Sequence, residues 1–156
     1  MNSWEKWSLH LAVAATALTG LGYGWARYFG QKAGEFGPEA HPLQSLLQHA
    51  HVLTGPVLLF LLGMALKGHA LPAFANGQAR NRALGPGLIL ILAPMILSGY
   101  ALQCSVSPGW RAAFAWIHGL LTLVFLAAYV IHLLTARQRA LRTRPSEVMM
   151  EIPWQP

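Results

Sequence analysis

His118 and His132 stand fourteen residues apart inside one charge-free apolar run, 112–136. In an α-helix fourteen residues complete almost four turns, so both imidazoles share a face and lie ~21 Å apart along the axis. Ionisable side chains are costly in lipid, and those that persist there usually face the bundle interior and do chemistry. Two imidazoles at two depths of one spanning helix suit the axial ligation of two stacked b-type haems. The chain has a single cysteine, Cys104, and no C-x-x-C-H segment, so any haem is held without a covalent link.

The elements that must position these rings follow from composition. Of 156 residues, 54% are hydrophobic and 10% charged, with a mean hydropathy of +0.41. That is too apolar for an ordinary soluble domain. Four stretches lack Asp, Glu, Lys and Arg: 7–26, 40–66, 83–110 and 112–136. Each can hold a helix of about 20 residues across ~30 Å of hydrocarbon. The expectation is an all-α, integral-membrane four-helix bundle, a single domain 1–156, with helices near 8–28, 43–66, 84–103 and 114–134. The first stretch carries His10 and runs on to Arg27 without an A-x-A-like site before a mature domain, so it does not read as a removed signal peptide. Lys6, Lys67, Arg80, Arg82, Arg137, Arg139, Arg142 and Arg144 fall on one side of this topology, and only Arg27, Lys32 and Arg111 on the other. The positive-inside rule then puts both termini in the cytoplasm. The net charge of +6 is accounted for by topology and anionic lipid rather than nucleic acid, which is not an expected partner. The segments 30–42 and 68–82 read as the sizeable outer and inner loops, and 137–156 as a basic tail. No internal repeat carries weight at this level.

Seven histidines can be ranked by depth at ~1.5 Å per residue. His118 lies about one turn inside the outer end of the fourth helix, and His51 about two turns inside that of the second. His132 and His10 each lie ~27 Å from the outer ends of their helices. Two candidate pairs result: His51 with His118 near the outer face, and His10 with His132 near the inner face. Gly55, four residues after His51, clears room on the same face for a porphyrin edge. A small-residue stripe, Ala14, Ala17, Leu21 and Gly24, continues the face of His10. Phe125, seven residues from each histidine of the fourth helix, falls between the two haem levels. Pro56 and Pro94 interrupt the second and third helices, which membrane helices tolerate.

The remaining histidines have plainer readings. His41 follows a Gly-Pro loop and reads as interfacial. His49 points about 200° away from His51, so the two cannot serve one haem, and His51 is preferred. His69 shares the face of His51 but lies ~27 Å away, near the inner headgroups, where it reads first as a neighbour of a haem propionate or a surface residue and second as an alternative to His10 as inner ligand. Trp4, Trp7, Tyr28, Trp110 and Trp116 read mostly as interface anchors.

One histidine in the first helix, one in the second and two spaced by fourteen in the fourth form an arrangement that resembles the four-helix cytochrome b subunits of respiratory formate dehydrogenases and nickel–iron hydrogenases. The segments His51-Val-Leu-Thr-Gly-Pro56, Pro94-Met-Ile-Leu-Ser-Gly-Tyr100 and Ala127-Ala-Tyr-Val-Ile-His132 also look like small bacterial cytochrome b-like proteins of that broader group. The resemblance spans 7–136. It implies two haem b groups, His51/His118 holding the outer and His10/His132 the inner. It also implies electron passage across a bacterial cytoplasmic membrane between a quinone pool and a redox partner subunit or periplasmic carrier. The chain would then be an electron-transfer subunit of an oxidoreductase complex more than a stand-alone enzyme. The chain is shorter than subunits of that group, its loops are small, and no carboxylate falls in the spanning stretches. Two other classes compete: a non-redox assembly or scaffold subunit, and a small metal or proton transporter. Transporters of that kind usually show intramembrane acids or broken-repeat symmetry, and neither is visible here.

Overall fold

A computed structural model of the chain describes residues 2–76 and 84–142. Arg80, Arg82 and Arg144, the 77–83 part of the inner loop and the 143–156 part of the basic tail lie outside the described residues. The chain is mostly helical and divides into two compact units, Met1–Asn81 and Arg82–Pro156. Each is built on one pair of long helices.

In the first unit, α1 (Ser3–Tyr28) packs along α2 (Gln44–Ala65). Helix α1 starts five residues earlier than the charge pattern suggests, because Asn2 and Glu5 form a reciprocal cap. The Asn2 side chain accepts from the Glu5 N–H at 2.8 Å, and the Asn2 N–H donates to the Glu5 carboxylate at 2.9 Å. Two otherwise orphaned helix-start donors are thereby satisfied. The outer loop 30–42 contains a short antiparallel ribbon, β1 (Lys32–Gly34) with β2 (Gly37–Glu39). Its turn closes at Gly37, whose φ of 120° suits glycine. The ribbon reverses the chain, so α1 and α2 run antiparallel, Gly22 facing Leu47 and Gly20 facing His51.

The segment read as the inner loop is in part helical. Beyond Ala65 the chain continues through a π-helical turn, Leu66–Ala70, into α3 (Leu71–Ala75). Pro72 supplies the reason: in a regular α-helix its ring would collide with the carbonyl four residues back. A turn widened to i→i+5, with the Leu71 N–H bonded to the Leu66 carbonyl, relieves the collision without ending the helix. The charge of Lys67 and the flexibility of Gly68 hide this continuity in the sequence.

The second unit pairs α4 (Leu84–Cys104) with α5 (Pro108–Arg142). Residues 105–107 join them, so these helices are also antiparallel. Helix α5 has 35 residues, ~52 Å at 1.5 Å per residue, and overruns a ~30 Å hydrocarbon layer. Its basic end carries Arg137 and Arg139.

Among the described residues three helical segments are long and apolar enough to cross a membrane: Gln44–Ala75, Leu84–Cys104 and Pro108–Arg139. No more than 11% of the most apolar window of any of them is buried, and Leu53, Leu90, Leu97 and Trp116 are among many large apolar side chains left exposed. An apolar surface of this extent needs lipid, and the chain is a multi-pass, helical membrane protein. Helix α1 is long enough but poorer in Leu, Ile and Val, and it is not among the three.

Candidate functional site

The four histidines proposed as ligands fall two to each unit: His10 on α1 and His51 on α2, His118 and His132 on α5. All four are partly buried. His51 turns toward α1. Its Nδ1–H donates to the Thr16 carbonyl at 3.0 Å, and its ring sits against Gly20, where a Cβ would come within 2.6 Å of Cε1. His118 turns toward α4 in the same way. Its Nδ1–H donates to the Met95 carbonyl at 2.9 Å, and a Cβ on Gly99 would come within 3.0 Å of Cε1.

The two arrangements match residue for residue. In each, the carbonyl of residue n on one helix accepts from an imidazole of the other. A glycine at n+4 makes room for the ring, and a hydroxyl at n+3 donates to the same carbonyl. Thr19 Oγ1 lies 3.1 Å from the Thr16 carbonyl and 2.7 Å from that of Ala15. Ser98 Oγ, buried, lies 2.9 Å from the Met95 carbonyl. Because a carbonyl can only accept, Nδ1 carries the proton at both histidines. A neutral ring then has its lone pair on Nε2, the nitrogen that can bind a metal.

Neither Thr19 and Gly20 nor Ser98 and Gly99 stand out by composition. Their signal is the recurrence of Leu18-Thr19-Gly20 as Leu97-Ser98-Gly99, a three-residue echo too short to count as a repeat until the helices that carry it are seen to hold histidines alike.

The second histidine of α5 keeps to the same face. His132 lies against the start of α4, its Cε1 4.0 Å from where a Gly85 Cβ would stand. Gly85 and Gly99 are fourteen residues apart, as are His118 and His132, so antiparallel pairing sets one glycine of α4 opposite each imidazole of α5. Phe125, midway between the two histidines, is buried and stacks on Tyr129 with centroids 6.1 Å apart and planes 13° from parallel. His10 has a different neighbour, the edge of Trp7, at 6.2 Å between ring centres.

Hydroxyls also stiffen the turns that bear the rings. Thr54 donates to the His51 carbonyl at 3.1 Å and Thr135 to that of His132 at 3.0 Å. Gly55 borders open space: a Cβ there would meet nothing within 4 Å. The alternative histidines lie elsewhere. His49 is exposed, with Ser45 Oγ 3.5 Å from its Nδ1. His41 packs edge-on to Trp25 at 5.3 Å in the outer loop, and His69 is exposed in the π-helical turn. Cys104 is an exposed thiol. Among the described residues no three or more of His, Cys, Asp and Glu gather where they could hold a bare metal ion. No protein family, curated protein or solved structure matches the chain.

Proposed function

We propose that the chain is a dihaem b-type cytochrome of the bacterial cytoplasmic membrane, relaying electrons across the bilayer between a quinone pool and a redox partner subunit or periplasmic carrier. In this reading α1 spans with the other three helices and both termini are cytoplasmic. His51 and His118 hold the outer haem, His10 and His132 the inner.

The observation that supports it most is the pair of imidazoles, His51 and His118, each with Nδ1–H on a backbone carbonyl. A histidine that binds a metal almost always donates its other ring N–H to a carbonyl, carboxylate or water, which fixes the tautomer and raises its basicity. The residues present fit haem b on the chemistry of the donor set. Two imidazoles, each with Nδ1 committed to a backbone carbonyl and so Nε2 left as the ligand nitrogen, on apolar helices without a carboxylate, favour an iron that exchanges electrons without binding protons or substrate.

When bound, haem supplies the one-electron ferric–ferrous couple. The chain's own residues do the rest. The Thr16 and Met95 carbonyls orient the two rings, Gly20 and Gly99 admit them against the neighbouring helix, and the exposed apolar flanks keep the unit in lipid, away from water. The basic residues at the inner helix ends hold the orientation of the relay.

The test is a dithionite-reduced minus oxidised spectrum with haem quantified per polypeptide. Sharp low-spin b-type bands at two haems per chain are expected. One haem per chain would remove His10 from the assignment. Purified protein without haem after expression in a haem-sufficient host would overturn the reading and leave a scaffold or transporter.

A further inference from the structure

We infer that Thr19 and Ser98 are positioning residues of two equivalent imidazole seats, one in each helical unit, and that their hydroxyls set the electron-donating strength of His51 and His118 through a shared carbonyl. This rests on the haem reading above for its redox consequence, but not for its geometry.

The geometry is duplicated. In the first unit the Thr16 carbonyl receives the His51 Nδ1–H at 3.0 Å and the Thr19 hydroxyl at 3.1 Å. In the second, the Met95 carbonyl receives the His118 Nδ1–H at 2.9 Å and the Ser98 hydroxyl at 2.9 Å. The same three roles (carbonyl, hydroxyl at n+3, glycine at n+4) arise on helices α1 and α4, which differ in apolarity and length. A hydroxyl bonded back into its own helix is commonplace. One that converges on the acceptor of an interhelical imidazole, twice, ties its occupancy to the imidazole's hydrogen bond.

The physical effect has a sign. Each carbonyl oxygen has two lone pairs and, inside a helix, also faces the N–H four residues on, so a donated hydroxyl competes for the electron density that the imidazole N–H uses. Removing the hydroxyl leaves a better acceptor, strengthens the N–H···O bond and pushes the ring toward imidazolate character. A more basic ligand favours ferric over ferrous iron, so the potential of the haem on that histidine falls. The effect is larger at Ser98, whose hydroxyl serves the Met95 carbonyl at 2.9 Å, than at Thr19, whose one proton is shared with a closer acceptor, the Ala15 carbonyl at 2.7 Å.

The experiment is a redox titration of the purified protein, monitored optically and by the low-temperature EPR of the ferric form. Ser98→Ala should keep the haem complement of the unaltered protein and shift the equilibrium of one haem about threefold toward ferric at fixed poise. That is about 28 mV at 59 mV per tenfold for one electron. Thr19→Val should shift in the same direction by less, and Ser98→Thr and Thr19→Ser should restore the starting values. Unchanged or raised potentials in both Ser98→Ala and Thr19→Val, with haem retained, would overturn the inference while leaving the cytochrome reading intact. A second measurement does not depend on haem. Long-range nitrogen–proton correlation spectra of dithionite-reduced, histidine-labelled protein should show His51 and His118 protonated at Nδ1, assigned by His51→Gln and His118→Gln. Protonation at Nε2 in either would overturn the proposed seat even in a protein that carries no haem.

Discussion

The α1/α2 and α4/α5 hairpins make the same seat for one histidine and differ over the second. His51 and His118 are each fixed by a carbonyl and a glycine on the facing helix. On α5 the second histidine continues the pattern: His132 faces Gly85 at the interval that sets His118 against Gly99. On the first unit it does not. His10 lies on α1 itself, beside Trp7, and the α1 segment that seats His51, Thr16 to Gly20, begins only six residues after it. That places the two first-unit histidines ~9–15 Å apart along the axis, against ~21 Å on α5. An imidazole held from a second helix has its ring orientation set before any ligand arrives. His51 and His118 are thus each oriented by the helix they pack against within their own unit.

The widest contrast comes from removing whole ligands. His118→Ala and His51→Ala should each lower haem content from two per chain to one, and both should remove the same haem, judged by which midpoint disappears. His132→Ala should remove the other. His10→Ala then sharpens the comparison: loss of the inner haem is expected, and retention of two haems together with loss of one in His69→Ala would move the inner ligand to the π-helical turn. Loss of different haems in His51→Ala and His118→Ala would break the proposed pairing outright.

A smaller effect should follow from filling the notches. A Cβ at residue 20 would lie 2.6 Å from His51 Cε1, and one at residue 99 would lie 3.0 Å from His118 Cε1. In Gly20→Ala the ring must swing away and give up the Thr16 carbonyl. An interhelical hydrogen bond in a membrane protein is worth about 0.6–1.7 kcal/mol, which corresponds to a roughly 3- to 20-fold weaker retention of the outer haem. Gly99→Ala asks only a few tenths of an ångström of His118 and should cost less. Haem loss on dilution into haem-scavenging apomyoglobin measures both, and an order reversed between the two variants would show that the rings are not held where the hydrogen bonds put them.

Much of the fold was legible because lipid imposes coarse rules. Charge-free stretches mark apolar helices, and the histidine interval on α5 survives into the structure as a shared face toward α4. What escaped depended on local chemistry. The cap of Asn2 with Glu5 extends α1 past charges that were read as its boundary, and the π-helical turn carries α2 through Lys67, Gly68 and Pro72, where each residue taken alone signals a stop. The hydroxyl and glycine of each seat escaped for another reason. Thr19-Gly20 and Ser98-Gly99 mean nothing along the chain until an imidazole 31 or 19 residues later is set against them, and that register belongs to helix packing rather than to any one helix's pattern. His49 and His51 illustrate the reverse case, since their 200° separation alone tells that only one can face α1.

The smallest expected effect carries the opposite sign and so tests the glycine comparison most closely. At Gly85 a Cβ would stand 4.0 Å from His132 Cε1, ordinary van der Waals contact. Alanine there removes the backbone freedom of glycine at no steric cost, and an interior helical site would gain about 1 kcal/mol from that exchange. Gly85 is the second residue of α4, in the first turn, so the gain should be a fraction of that figure. Gly85→Ala should therefore keep both haems and raise the thermal unfolding midpoint in detergent slightly, where Gly20→Ala lowers it. If Gly85→Ala instead released the inner haem, His132 would need the space opposite Gly85 for more than its own ring, and the fourteen-residue interval shared by α4 and α5 would be a porphyrin requirement rather than a consequence of antiparallel packing.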